Sequence, residues 1–109
     1  MADRDDLPER RRLALGRATA AKIVADPSLL DVARDNLRRR RARRASPFSQ
    51  QLLDEWESIV DAGPQAVAAA LTDPGEHGHD LRQESPFAGV LTDRERWAVL
   101  QGVYGRAVG

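Results

Sequence analysis

Prolines punctuate this chain, and each of five stands where a helix would begin: Pro8, Pro27, Pro47, Pro64 and Pro74 precede helix-compatible segments. Proline has no N–H and fixes φ near the helical value. It is therefore favoured in a first turn and disruptive inside a helix. Asp26, Ser46 and Asp73 lie directly before three of these prolines, placed as N-caps whose side-chain oxygens accept from orphan amides. Such punctuation confines each segment to one short helix.

The apolar spacing between the prolines agrees. In the first segment, about Glu9 to Ala25, Leu13, Ala20, Ile23 and Val24 share a face. In the second, Leu29, Leu30, Ala33 and Leu37 form a stripe that stops where the arginines start. The third, QQLLDEWESIVDAG, is the clearest amphipathic helix. Leu52, Leu53, Trp56, Ile59 and Val60 lie on one side, Asp54, Glu55, Glu57 and Asp61 on the other, and Gly63 stops it. The fourth, PQAVAAALT, turns Val67, Ala70 and Leu71 inward. DPGEHGHDLRQESPFAG reads as a loop with one helical turn around Leu81. Thr92 and Glu95 then form a capping box before a last helix with Trp97, Leu100 and Tyr104 on one face. No window alternates with period two. The expected fold is all-α, a compact bundle of about five helices without a sheet. It forms one domain over residues 9–107 behind a flexible N-terminus at 1–8.

At 109 residues the chain buries about two thirds of its unfolded surface, and its large apolar side chains are few. A partner would help it. Residues 1–45 hold 13 Arg/Lys against 7 Asp/Glu, whereas residues 46–109 hold 4 against 10. One small body therefore carries a basic and an acidic part, suited to an acidic partner, to nucleic acid or to a homodimer. The absence of cysteine excludes disulfides, thiol catalysis and cysteine-ligated zinc, and fits a cytoplasmic setting. No apolar run approaches the ~18 residues of a membrane span, and MADRDDLPERRR has no secretory h-region. Cations that are arginine with a single exception, Lys22, suggest a high-GC bacterial source.

The densest feature is the run of six arginines in seven residues: Arg38, Arg39, Arg40, Arg41, Arg43 and Arg44. Guanidinium pairs bidentately with phosphate and releases counterions from nucleic acid. Yet aromatics are not interleaved to stack bases, and cations at a helix C-terminus are also favoured by the macrodipole. The tract is a contact surface for nucleic acid or for an acidic partner. His77 and His79, beside Glu76 and Asp80, have no further histidine to complete a metal site, so EHGHD reads as a polar loop. Ser46, Ser49, Ser58 and Ser85 have no evident base, and no glycine-rich phosphate loop is present. No enzyme, metal or cofactor is expected.

The order LRQESPFAGVLTDRERW, Leu81 to Trp97, resembles a segment of small bacterial proteins from toxin–antitoxin-type operons. In longer relatives a similar region follows a helix-turn-helix domain of the Xre type. The stretch ADPSLLDVARDNL and the Leu53-x-x-Trp56 pattern before Gly-Pro agree, so that the resemblance covers roughly residues 13–104. It implies a non-enzymatic, antitoxin-like regulator that binds and neutralises or regulates a protein encoded in the same operon. It carries no catalytic residues. The 109 residues hold no helix-turn-helix, so sequence-specific DNA reading is not transferred, and Arg40 and Arg41 stand where relatives would have a bulky apolar residue. On this reading Phe87, Val90 and Trp97 are the apolar anchor for the partner, because aromatic anchors dominate interfaces. The alternatives are non-specific nucleic-acid binding through Arg38–Arg44 and a stand-alone dimerisation module.

Overall fold

The computed structural model describes residues 7–43 and 45–108, with side chains through Gly105, and among them every regular element is helical. The order is α1 (Leu7–Ala25), a 3₁₀ turn (Pro27–Leu29), α2 (Leu30–Arg41), α3 (Pro47–Ala62), α4 (Pro64–Thr72), α5 (Glu76–Gln83) and α6 (Asp93–Val108). The all-α bundle thus has six α-helices rather than about five. Residues 1–6 lie outside the described residues. α1 already begins at Leu7, inside the span expected to be a flexible N-terminus.

The caps explain the boundaries. Ser46 Oγ accepts from Ser49 N at 3.1 Å and starts α3. Asp26 Oδ1 accepts from Ser28 N at 3.2 Å and starts the 3₁₀ turn. Gly63 both ends α3 and precedes α4, with φ at 109° and ψ at 178°, a conformation that costs a residue with a Cβ dearly. The capping box closes in both directions: Glu95 N donates to Thr92 Oγ1 at 3.1 Å, and Thr92 N donates to Glu95 Oε1 at 2.8 Å. The additional helix is α5. Asp73 does not cap it directly; its Oδ1 accepts from Gly75 N at 2.9 Å, turning the chain so that Gly75 becomes the N-cap.

Side chains from α1 to α5 and from the α5–α6 loop share one core, centred on the fully buried Trp56. Its indole N–H donates to Leu81 O at 2.8 Å, and its ring meets Phe87 edge-on with centroids 5.1 Å apart. α1 lies close against α4 at Gly16, where a Cβ would come within 2.6 Å of Leu71 O. The buried face of α1 runs through Gly16, Thr19, Ala20 and Ile23; Val24, expected to face inward, is 44% exposed. α6 lies outside this core and packs chiefly on α1. Lys22 meets Glu95 at one end, and Arg11 donates to Tyr104 at the other, at 2.9 Å, so the two helices run antiparallel. Of the described α6 side chains, Val103 alone is buried.

Candidate functional site

The arginine tract divides by direction. The helical period carries α2 through to Arg41 and turns Arg40 and Arg41 towards the protein's own acidic half. Arg40 Nη1 donates to Glu84 O at 2.9 Å and lies 3.7 Å from the Glu84 carboxylate. Arg41 lies 2.6 Å from Asp54 and 3.8 Å from Glu57, both on α3. Arg38 pairs with Asp35, and Arg39 donates to Asn36, each one turn earlier on the exposed side. Arg43 is exposed and has no ion-pair partner among the described residues. Arg44 lies outside the described residues. Arg38, Arg39 and Arg43 therefore remain as an outward row, partly neutralised by Asp35.

The segment from Leu81 to Val90 is a hub of internal contacts. Leu81 O receives the Trp56 indole. Arg82, with 2% of its side chain exposed, pairs with Glu9 of α1 and donates to Asp73 O at 2.5 Å and to Leu71 O at 3.3 Å. Glu84 accepts from Ser49 Oγ at 2.7 Å while engaging Arg40, so it joins α2 and α3 to the end of α5. Asn36 Nδ2 donates to Pro86 O at 2.8 Å and Ala88 O at 2.9 Å, which holds the loop against α2. Lys22 donates to Val90 O at 2.8 Å.

This placement corrects two of the three anchor residues expected from the sequence. Phe87 is 6% and Val90 2% exposed, because the loop folds their side chains into the Trp56 core, and they offer a protein partner almost no surface. Trp97 is the opposite case: at 58% exposed it projects from α6, apart from Leu100 and Tyr104, with which the apolar spacing placed it on one face. Those two are half-buried against α1.

Sequence reading missed a second basic site. Between α1, the α5–α6 loop and the start of α6 lies a cleft of about 490 Å³ whose lining includes Arg12, Arg82 and Arg96. A smaller hollow shares Arg12, Leu15 and Arg96 with it and extends to Arg11, Leu100 and Tyr104. The antiparallel packing brings residues 11–15 beside residues 96–104. The only sequence signal was Arg10-Arg11-Arg12, which gives no hint of Arg82 or Arg96.

The histidines take structural positions. His77 Nε2 is 2.5 Å from Glu55 on α3, and the hydrogen bond and charge of that carboxylate raise its pKa. His79 Nδ1 is 3.0 Å from Glu9. Burial pushes the Glu9 pKa up, but hydrogen bonds and charge from Arg82 and His79 outweigh it and hold the carboxyl below its ordinary value. The Lys22 hydrogen bond, with those of Thr92, lowers the Glu95 pKa. Among the described residues no three His, Asp or Glu side chains are grouped to hold a metal, and no helix is long and apolar enough to cross a membrane. No protein family, curated protein or solved structure matches this chain.

Proposed function

We propose that this chain is a non-enzymatic, antitoxin-like regulatory module of the bacterial cytoplasm. It acts by binding a partner protein encoded beside it, with Trp97 at the head of the docking face. The observation that carries the reading is the 58% exposure of Trp97 on a helix that packs chiefly against α1. A chain with two tryptophans buries Trp56 completely and leaves the other in water, and tryptophan is among the commonest hot-spot residues of protein interfaces. Partner control then works by occlusion of the partner's surface. The outward arginines Arg38, Arg39 and Arg43 steer an acidic partner.

Nucleic-acid binding through the tract is less well supported. Arg40 and Arg41 are engaged with Glu84, Asp54 and Glu57, and the exposed face of α2 carries the Asp31–Arg34 and Asp35–Arg38 pairs. Phosphates would have to compete with carboxylates already in place. The test is co-expression with the product of the adjacent gene. The wild-type chain should co-purify with that product, and Trp97→Ala should lose it while keeping its helical circular dichroism. Failure of the wild type to co-purify sinks the reading. A gel shift at low salt that persists in Trp97→Ala but vanishes in Arg38→Ala/Arg39→Ala/Arg43→Ala would favour nucleic acid instead, and concentration-dependent light scattering abolished by Trp97→Ala would favour self-association.

A further inference from the structure

The cleft between α1 and α6 is lined by three arginines, Arg12, Arg82 and Arg96. Its volume, about 490 Å³, lies within the range of small-molecule pockets, roughly 300–1,000 Å³. Arg82 contributes to its wall from below, and that residue is 5% exposed. Both terminal nitrogens of Arg82 are engaged, with Glu9, Leu71 O and Asp73 O, whereas its buried Nε–H has no acceptor among the described residues.

Above it, α1 and α6 supply Arg12 and Arg96 from opposite sides. Neither has an ion-pair partner among the described residues, in contrast to Lys22, Arg34, Arg38, Arg40, Arg41 and Arg82. Glu9 balances Arg82, and Asp93 is the one carboxylate of the lining, so Arg12 and Arg96 leave the cleft net positive. Ser85 adds a hydroxyl. Phe87 and Leu91 supply apolar wall, and the adjoining hollow extends the apolar path along Leu100.

We propose that this cleft binds a small organic oxyanion: a carboxylate or phosphate head held by Arg12 and Arg96, with the buried Arg82 adding positive charge beneath them and an apolar body against Phe87 and Leu91. Paired guanidinia facing a planar or tetrahedral oxyanion make the strongest class of charge-assisted hydrogen bonds. Two exposed arginines flanking one pocket suit a single head group better than the row of phosphates along a nucleic-acid strand. The site is separate from Trp97, so it stands or falls independently of the partner-binding reading.

The experiment is a titration of the full chain with phenyl phosphate, phenylacetate and inorganic phosphate, followed by proton–nitrogen correlation spectra that include the arginine Nε–H signals. Phenyl phosphate or phenylacetate should give saturable shifts confined to the signals of Arg12, Arg82, Ser85, Phe87, Leu91 and Arg96, and the tighter of the two names the head group. Arg12→Gln and Arg96→Gln should each weaken binding roughly tenfold, the equivalent of one charge-assisted hydrogen bond. Neither side chain has a hydrogen-bond or ion-pair partner among the described residues, so both variants should keep the wild-type fold, and Trp97→Ala should bind like wild type. The proposal is overturned if no saturation is reached at tens of millimolar. It is overturned equally if inorganic phosphate binds as tightly as the aromatic probes, or if shifts spread to Arg38–Arg43 and persist undiminished in Arg12→Gln and Arg96→Gln.

Discussion

Arg82 on α5 donates to the carboxylate of Glu9 on α1, with 2% and 17% of the two side chains exposed. The pair fastens the N-terminal turn of α1 to the segment that also carries Leu81, Glu84 and Phe87. A guanidinium at this depth is stable because its terminal nitrogens are shared between the carboxylate and two main-chain carbonyls. Substituting Arg82→Met leaves Glu9 with its main counter-charge gone and Leu71 O and Asp73 O short of a donor. The expected loss is about 3 kcal/mol of unfolding free energy, read from urea denaturation. The double variant Glu9→Leu/Arg82→Met should recover part of that loss. A single variant as stable as wild type would show that the pair does not hold α1 to α5.

The two directions of the arginine tract predict two behaviours. Arg41→Ala removes contacts with Asp54 and Glu57 that tie α2 to α3, and should lower stability by about 0.5 kcal/mol, an effect that fades as salt rises. Arg43→Ala, with no ion pair among the described residues, should leave the melting temperature unchanged. Thermal melts of both variants at low and high salt check this; equal effects would mean that the inward contacts contribute nothing.

What the sequence made legible, and what it hid, follows from the range of each signal. Helix starts were readable because Pro47, Ser46 and the Thr92–Glu95 box act within one turn. The stripe Leu52, Leu53, Trp56 and Val60 was readable because periodicity is local as well. α5 was not, since Gly75 and Gly78 lower its propensity and its helix is held by burial of Leu81 and Arg82, which depends on α1 and α3. The exposure of Trp97 depends on where α6 docks, and the burial of Phe87 and Val90 on how the α5–α6 loop folds onto the Trp56 core; spacing along the chain carries neither. The α1–α6 cleft was invisible for the same reason: residues 12, 82 and 96 meet only through the tertiary fold.

Gly16 makes the closeness of α1 and α4 testable. In an exposed helix, Gly→Ala stabilises by about 1 kcal/mol. Here the new Cβ would lie 2.6 Å from Leu71 O, a backbone atom that cannot rotate away. Gly16→Ala should therefore destabilise by about 1–3 kcal/mol, as overpacking does, measured by chemical denaturation. A stabilised variant would place α1 further from α4 than the structure has it.

The pH dependence follows from two lowered carboxyl groups and one raised histidine. Glu9 is held below its ordinary value, so the stability it contributes is complete above the unfolded carboxylate pKa and is lost as pH falls through the lower folded value. The exposed Glu95 acts in the same direction through Lys22. His77 is raised by Glu55, so its contribution is complete below the unfolded histidine value of 6.5 and disappears as pH rises through the higher folded value. Stability measured by urea midpoint should then decline on the acid side below pH 4.5 and fall by a smaller step above pH 6.5, smaller because His77 is 58% exposed and screened. Glu55→Gln should erase the upper step and leave the acid limb, while Arg82→Met should flatten the acid limb and leave the upper step. A profile in which Glu55→Gln retains the upper step would assign it to a group other than His77.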